Sequence, residues 1–180
     1  MRLSTQRSAA AFRAFATIGP RPVKPVPTRI VTVAKGNSRG AQLMAGEWEE
    51  KIQRYVSLTT SQIKPNPNKS GKPEVAMDAE GQKVLKLIKA HDRVVALDER
   101  GRKVTSHQIA EVIAEAGDRN CSQLVFCIGG PYGHSQAVRE RADDIISLSP
   151  LVLNHQVAHI VLLEQLYRGW TILRGEPYHH

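Results

Sequence analysis

Five short β-rich runs, each separated from the next by a stretch of helical periodicity, constrain this chain more than any other feature. The clearest is 124–128 (LVFCI), an unbroken apolar run stopped by Gly129-Gly130-Pro131, as expected of a strand buried on both faces. Runs at 29–33 (RIVTV), 56–63, 94–97 (VVAL) and 145–148 read as the other strands. Between them, helical spacing covers 42–55, 74–90, 106–116 and 135–143, and a broad apolar stripe runs over 155–173. Ser106 is placed to cap the third helix and Gly117 to close it. The charged stretch 98–103 reads as a turn, and 64–72 (KPNPNKSGK) as a proline-broken loop. Strand and helix in strict alternation predict an α/β fold with a mainly parallel sheet flanked by helices.

The net charge of +8 suggests a polyanion partner until the charge is located. Eight of the 25 Lys and Arg residues precede the first acidic residue, Glu47; the remaining 17 equal the 17 Asp and Glu. The excess therefore belongs to the N-terminal stretch. Residues 1–28 are rich in Arg, Ser, Thr and Ala, lack acids, and end in prolines at 20, 22, 25 and 27. That composition fits an organellar transit peptide with an extended linker, or else a basic arm that touches RNA. The targeting reading gives a chloroplast address, with the mitochondrion as the alternative, and leaves 29–180 as the folded domain. No run of eighteen apolar residues is present to span a membrane. The two cysteines, Cys121 and Cys127, fit neither a zinc knuckle nor a redox pair, and Cys127 reads as core.

Four segments carry chemistry. In 124–135, paired glycines after a buried strand allow a ligand close to the backbone, or simply form a tight turn. The spacing is neither a dinucleotide fingerprint nor a phosphate loop. His134 and Ser135 lack the elbow and acid partner of a hydrolase. The loop 147–154 (SLSPLVLN) offers apolar walls suited to an adenine ring, or lines the core. Glu164 and Arg168 stand four apart on the last helix, as a surface ion pair would. The tail GEPYHH holds Tyr178, His179 and His180; without a further ligand nearby, the adjacent histidines do not make a metal site.

Taken together, IGGPYG, SLSPLVLNHQ and LLEQLYRGWTILRGEPYHH resemble the RlmH family of SPOUT-class methyltransferases, which act on N3 of a pseudouridine in large-subunit ribosomal RNA. The likeness runs from about residue 29 to the end and is strongest from 124. It implies a trefoil-knotted domain, a homodimer, S-adenosylmethionine as cofactor without a metal, and ribosomal RNA within the large subunit or assembled ribosome as partner. By position it assigns the cofactor to Leu97, Gly129, Leu148, Ser149, Pro150, Leu151, Val152 and Leu153. It assigns catalysis to Tyr178 and His179, and RNA contact to Arg168 and Arg174. Asn154 stands where the family usually has proline and His159 where it has arginine. The alternative is a non-catalytic ribosome-associated factor with the same fold.

Overall fold

The computed structural model describes residues 18–67 and 71–177. The chain order is β1 (Thr28–Val33), α1 (Arg39–Ile52), β2 (Leu58–Ile63), α2 (Pro73–Leu85), β3 (Arg93–Lys103), α3 (Ser106–Asp118), β4 (Leu124–Ile128), α4 (Gln136–Arg141), β5 (Asp144–Ser147) and α5 (His155–Arg174). The five strands form one sheet in the order β2-β1-β4-β3-β5, and every neighbouring pair is parallel.

Alternation along the strands divides the core. Ile30, Val95, Leu124, Phe126 and Ile128 point to a large cluster with α1, α3 and α5, which includes Ile113, Leu163, Leu166 and Trp170. Val31, Val33, Val94, Val125 and Cys127 point to a smaller cluster that includes Val84 and Val138 of α2 and α4. All five residues of β4 are therefore buried, which is why its run reads as continuously apolar. Burial pushes the Cys127 thiol up to about 12, so it packs as an inert apolar group.

Several local expectations are corrected. Thr105, not Ser106, caps α3; its hydroxyl takes the Gln108 N–H while the Gln108 side chain takes the Thr105 N–H. Ser106 Oγ instead donates to Gln165 of α5. Gly117 lies inside α3 and does not end it; a Cβ there would stand 2.6 Å from the Lys24 carbonyl. Its smallness admits residues 18–27, which lie along the domain with Val26 buried. In that segment the Arg21 N–H donates to the Leu173 carbonyl, and its guanidinium pairs with Asp118 at 2.6 Å.

The charged stretch 98–103 is not a turn that ends β3. Leu97 and Arg102 both pair with Ile146, so residues 98–101 leave the sheet as a bulge and return to it. A Cβ on Gly101 would lie 2.6 Å from the Ile146 carbonyl carbon. The bulge thus rests directly on the β5 backbone.

Candidate cofactor cleft

The carboxyl ends of β3, β4 and β5 converge on one open cleft of about 700 Å³, a volume typical of small-molecule sites. Ligands of open parallel sheets bind at such ends. One wall is the glycine turn after β4. The Gly133 N–H donates to the Gly130 carbonyl at 2.9 Å, and Gly133 takes φ +85°, which glycine adopts without strain. A Cβ on Gly129 would meet the Gly133 backbone at 2.8 Å, so the turn folds tightly back on its own start.

The facing wall is the loop after β5. Ser147 Oγ donates to the Ser149 carbonyl at 2.8 Å, and Ser149 Oγ accepts the Leu151 N–H at 2.9 Å. These local bonds fix the loop and leave Leu151 and Val152 exposed at 72% and 79%. Asn154 then caps α5, its side chain accepting the N–H groups of Gln156 and Val157 at 3.0 Å each. Asparagine at this position does positive work for the helix start.

A charged rim completes the cleft. Asp98, with a side chain only 6% exposed, pairs with Arg139 of α4 at 2.7 Å and accepts the Arg100 N–H. Arg139 also donates from Nε to the His134 carbonyl. His134 is buried, and its Nε2–H donates to the Leu97 carbonyl at 3.1 Å. Burial holds this imidazole below its usual pKa, so the ring acts as a neutral brace between the glycine turn and β3. Ser135 caps α4 and is buried too, so neither residue faces the cleft as a hydrolytic pair would.

Of the residues the sequence points to for cofactor contact, Leu97, Gly129, Leu148, Ser149, Leu151, Val152 and Leu153 line this cleft, while Pro150 does not. Asp98, Glu99, Arg100 and Arg139 also line it and were not among the residues the sequence points to; the signal of the first three, DERGR, has the composition of a solvated turn, and Arg139 reads as an ordinary residue of a short helix.

Arg168 and Arg174 lie elsewhere. Arg168 pairs with Glu164 at 2.8 Å, and Arg174 is exposed in the last turn of α5. The cleft touches α5 only at His155 and Ala158. At about 1.5 Å per residue, Arg168 is roughly 15 Å and Arg174 roughly 24 Å along the helix from Ala158. His159 is buried in the α1–α5 seam rather than offered to a polyanion. Tyr178 and His179 lie outside the described residues. Among the described residues no cluster of three or more His, Cys, Asp or Glu is arranged to hold a metal. Nor is any helix among them long and apolar enough to cross a membrane.

Residues 26–179 match the family model described as a predicted SPOUT methyltransferase. A protein of Arabidopsis thaliana that carries an RNA methyltransferase name is 46% identical over 158 residues, covering 88% of this chain and 82% of that protein. The ribosomal RNA large subunit methyltransferase H of Geotalea daltonii is 39% identical over 152 residues, covering 84% and 98%. The protein of the same name from Syntrophotalea carbinolica is 41% identical over 136 residues, covering 76% and 87%.

Proposed function

Because this chain belongs to the SPOUT methyltransferase family and is an RNA methyltransferase, we propose that it methylates N3 of a pseudouridine in large-subunit ribosomal RNA, using S-adenosylmethionine. The observation that carries this reading is the cleft itself. Its glycine turn exposes backbone groups, and its apolar loop faces them across a space sized for a nucleoside. The two facing walls are backbone and apolar surface, which fits adenine and a ribose, and the rim of Asp98, Glu99, Arg100 and Arg139 adds charged groups for the polar end of the cofactor. Leu97, Gly129 and residues 148–153 would hold the cofactor, and Pro150 would stiffen that loop without touching it. When bound, S-adenosylmethionine supplies an activated sulfonium methyl group.

The chain's own task is then mostly alignment of a nitrogen with that carbon. Loss of the N3 proton needs a base near neutral pKa; His179 or Tyr178 assists that loss or positions the base. The geometry of α5 supports a division of this task between two chains. Glu176 still sits at the helix end, its N–H donating to the Thr171 carbonyl roughly 20 Å along α5 from Ala158, while the three residues from there to His179 reach only about 10 Å. In this reading the protein is a homodimer, and each tail serves the partner's cleft, bringing Arg168 and Arg174 to the RNA bound there. Exposed Leu43, Met44, Leu151, Val152 and Val157 supply apolar surface for such a dimer. The trefoil knot belongs to the same reading, carried by the family. So does the organellar address, chloroplast before mitochondrion.

Mass spectrometry of organellar large-subunit rRNA, with and without the protein, tests substrate and reaction together. One pseudouridine should lose its methyl group when the protein is absent; unchanged methylation refutes the proposal. Deleting the last three residues should abolish turnover and spare S-adenosylmethionine affinity. Mixed dimers of that deletion with Gly129→Ala should recover part of the activity, since one cleft and one tail remain paired; no recovery refutes action across the dimer.

A further inference from the structure

Beyond the cleft, the carboxyl edge of the sheet continues over β1 and β2, and it carries groups that the cofactor reading leaves unused. Residues 130–133 form a four-residue turn closed by the Gly133 N–H to the Gly130 carbonyl, with Pro131 second and Tyr132 third. Pro131 fixes the backbone before Tyr132. The ring is thus held at the apex of a stiff turn, on the rim of the cleft and 50% exposed. Among the described residues it has no hydrogen-bond partner. Leaving half of a rigid aromatic ring in water at a substrate mouth is the arrangement of a stacking platform.

Cations adjoin it in sheet order. β1 pairs with β4 through Thr32 and Ile128, and with β2 through Val33 and Ile63. A Cβ on Gly130 would lie 3.1 Å from Val33, which fixes the glycine turn beside the end of β1. The Ala34 N–H donates to the Ile63 carbonyl, so Lys35 and Lys64 leave neighbouring strands side by side. Both are exposed and without a partner among the described residues. Arg39, also exposed, opens α1, whose first turn holds no acid. Glu80, behind Gly130, is buried and accepts the Asn66 N–H, so it presents no surface charge here. With neighbouring strands about 4.8 Å apart, the β2, β1 and β4 ends span roughly 10 Å.

We infer that this edge is the RNA track of the enzyme: Tyr132 stacks on an unpaired base at the cleft mouth, while Lys35 and Lys64 neutralise phosphates of the same strand. The inference rests on the RNA-methyltransferase reading only for the nature of the polymer. A single-stranded segment suits it best, because every base has a face to stack and every linkage a charge.

Two probes test it with the full chain: a short fluorescein-labelled oligouridylate for binding, and purified unmethylated large subunits for turnover. Tyr132→Ala should weaken oligouridylate affinity by about tenfold and raise the KM for the subunit with kcat little changed. Tyr132→Phe should stay within about twofold of wild type, since stacking is kept. S-adenosylmethionine affinity, measured by calorimetry, should not move in either. Tyr132→Trp should add emission that the RNA quenches, beyond the change from Trp48 and Trp170 in wild type. In Lys35→Ala/Lys64→Ala the slope of log affinity against log salt should fall by about 1.4, two phosphates at about 0.7 each. Full RNA affinity in Tyr132→Ala overturns the inference, as does a parallel loss of cofactor affinity, which would make Tyr132 a cofactor wall. If wild type binds RNA through Tyr132 but transfers no methyl group, the proposed reaction fails and the track stands. If wild type methylates and Tyr132→Ala keeps the wild-type KM, the track fails and the reaction stands.

Discussion

Replacing Gly101 with alanine adds one methyl group where the bulge of β3 crosses β5. The new Cβ would lie 2.6 Å from the Ile146 carbonyl carbon and 2.8 Å from its N and O, against 3.4–4 Å for ordinary contact. All three atoms are backbone, and Ile146 is fixed by pairing to both Leu97 and Arg102. Neither side can rotate away, so the bulge must lift by about 1 Å, and overpacking of this kind costs about 2–3 kcal/mol. For a domain of this size that lowers Tm by roughly 4–12 °C. Asp98, Glu99 and Arg100 ride on the bulge and line the cleft, so S-adenosylmethionine affinity should fall with stability. Gly46→Ala is the matched control: nothing lies within 4 Å of its Cβ, and it sits inside α1. It should gain about 0.5–1 kcal/mol. Thermal melts by circular dichroism and calorimetric titration with S-adenosylmethionine read both effects. A Gly101→Ala protein that melts with wild type and binds the cofactor normally would refute the packing argument.

Other perturbations probe the rim, the buried imidazoles and the leader. Asp98→Ala strands Arg139 and frees the Arg100 N–H; because the Arg139 side chain is 30% exposed, the cost should be about 2 kcal/mol, below that of a fully buried pair, and cofactor affinity should drop in calorimetry. Burial lowers the pKa of both His134 and His159, so below about pH 6.5 the unfolded chain takes up protons that the folded chain refuses. Urea midpoints should therefore fall as pH drops from about 6.5 towards the depressed folded-state values, and His134→Gln should flatten that slope. A fusion of residues 1–28 to a fluorescent protein should enter plastids or mitochondria; a diffuse cytosolic signal would remove the targeting reading.

The fold was legible where burial is two-sided or periodic. LVFCI reads as a central strand because both faces are covered, and the stripe of α5 reads as a helix because Leu162, Leu163, Leu166, Trp170 and Leu173 meet one core. Glycines were harder. Gly81 and Gly117 both sit inside helices at some cost in propensity, and the reasons, Ser135 in one case and the Lys24 carbonyl in the other, come from residues more than fifty positions away. The rim of the cleft was hidden for a similar reason. DERGR has the composition of a solvated turn, and only the double pairing of Ile146 places it over a site. Short motifs marked both walls of the cleft, whereas the distance of Arg168 and Arg174 from it follows from the length of α5, which no motif states.

The extended segment before β1 also bears on the proposed leader. Arg21 clips to α3 and to the end of α5, Lys24 reaches Asn120, and Val26 is part of the core. A protease that removed everything up to the first strand would uncover a groove shaped around Gly117 and unfasten the helix from which the tail departs. If the basic stretch is a cleaved leader, as proposed, the scissile bond should lie upstream of Arg21. A chain engineered to begin at Thr28 should be less stable than one beginning at Ile18, although it retains every residue of the cleft.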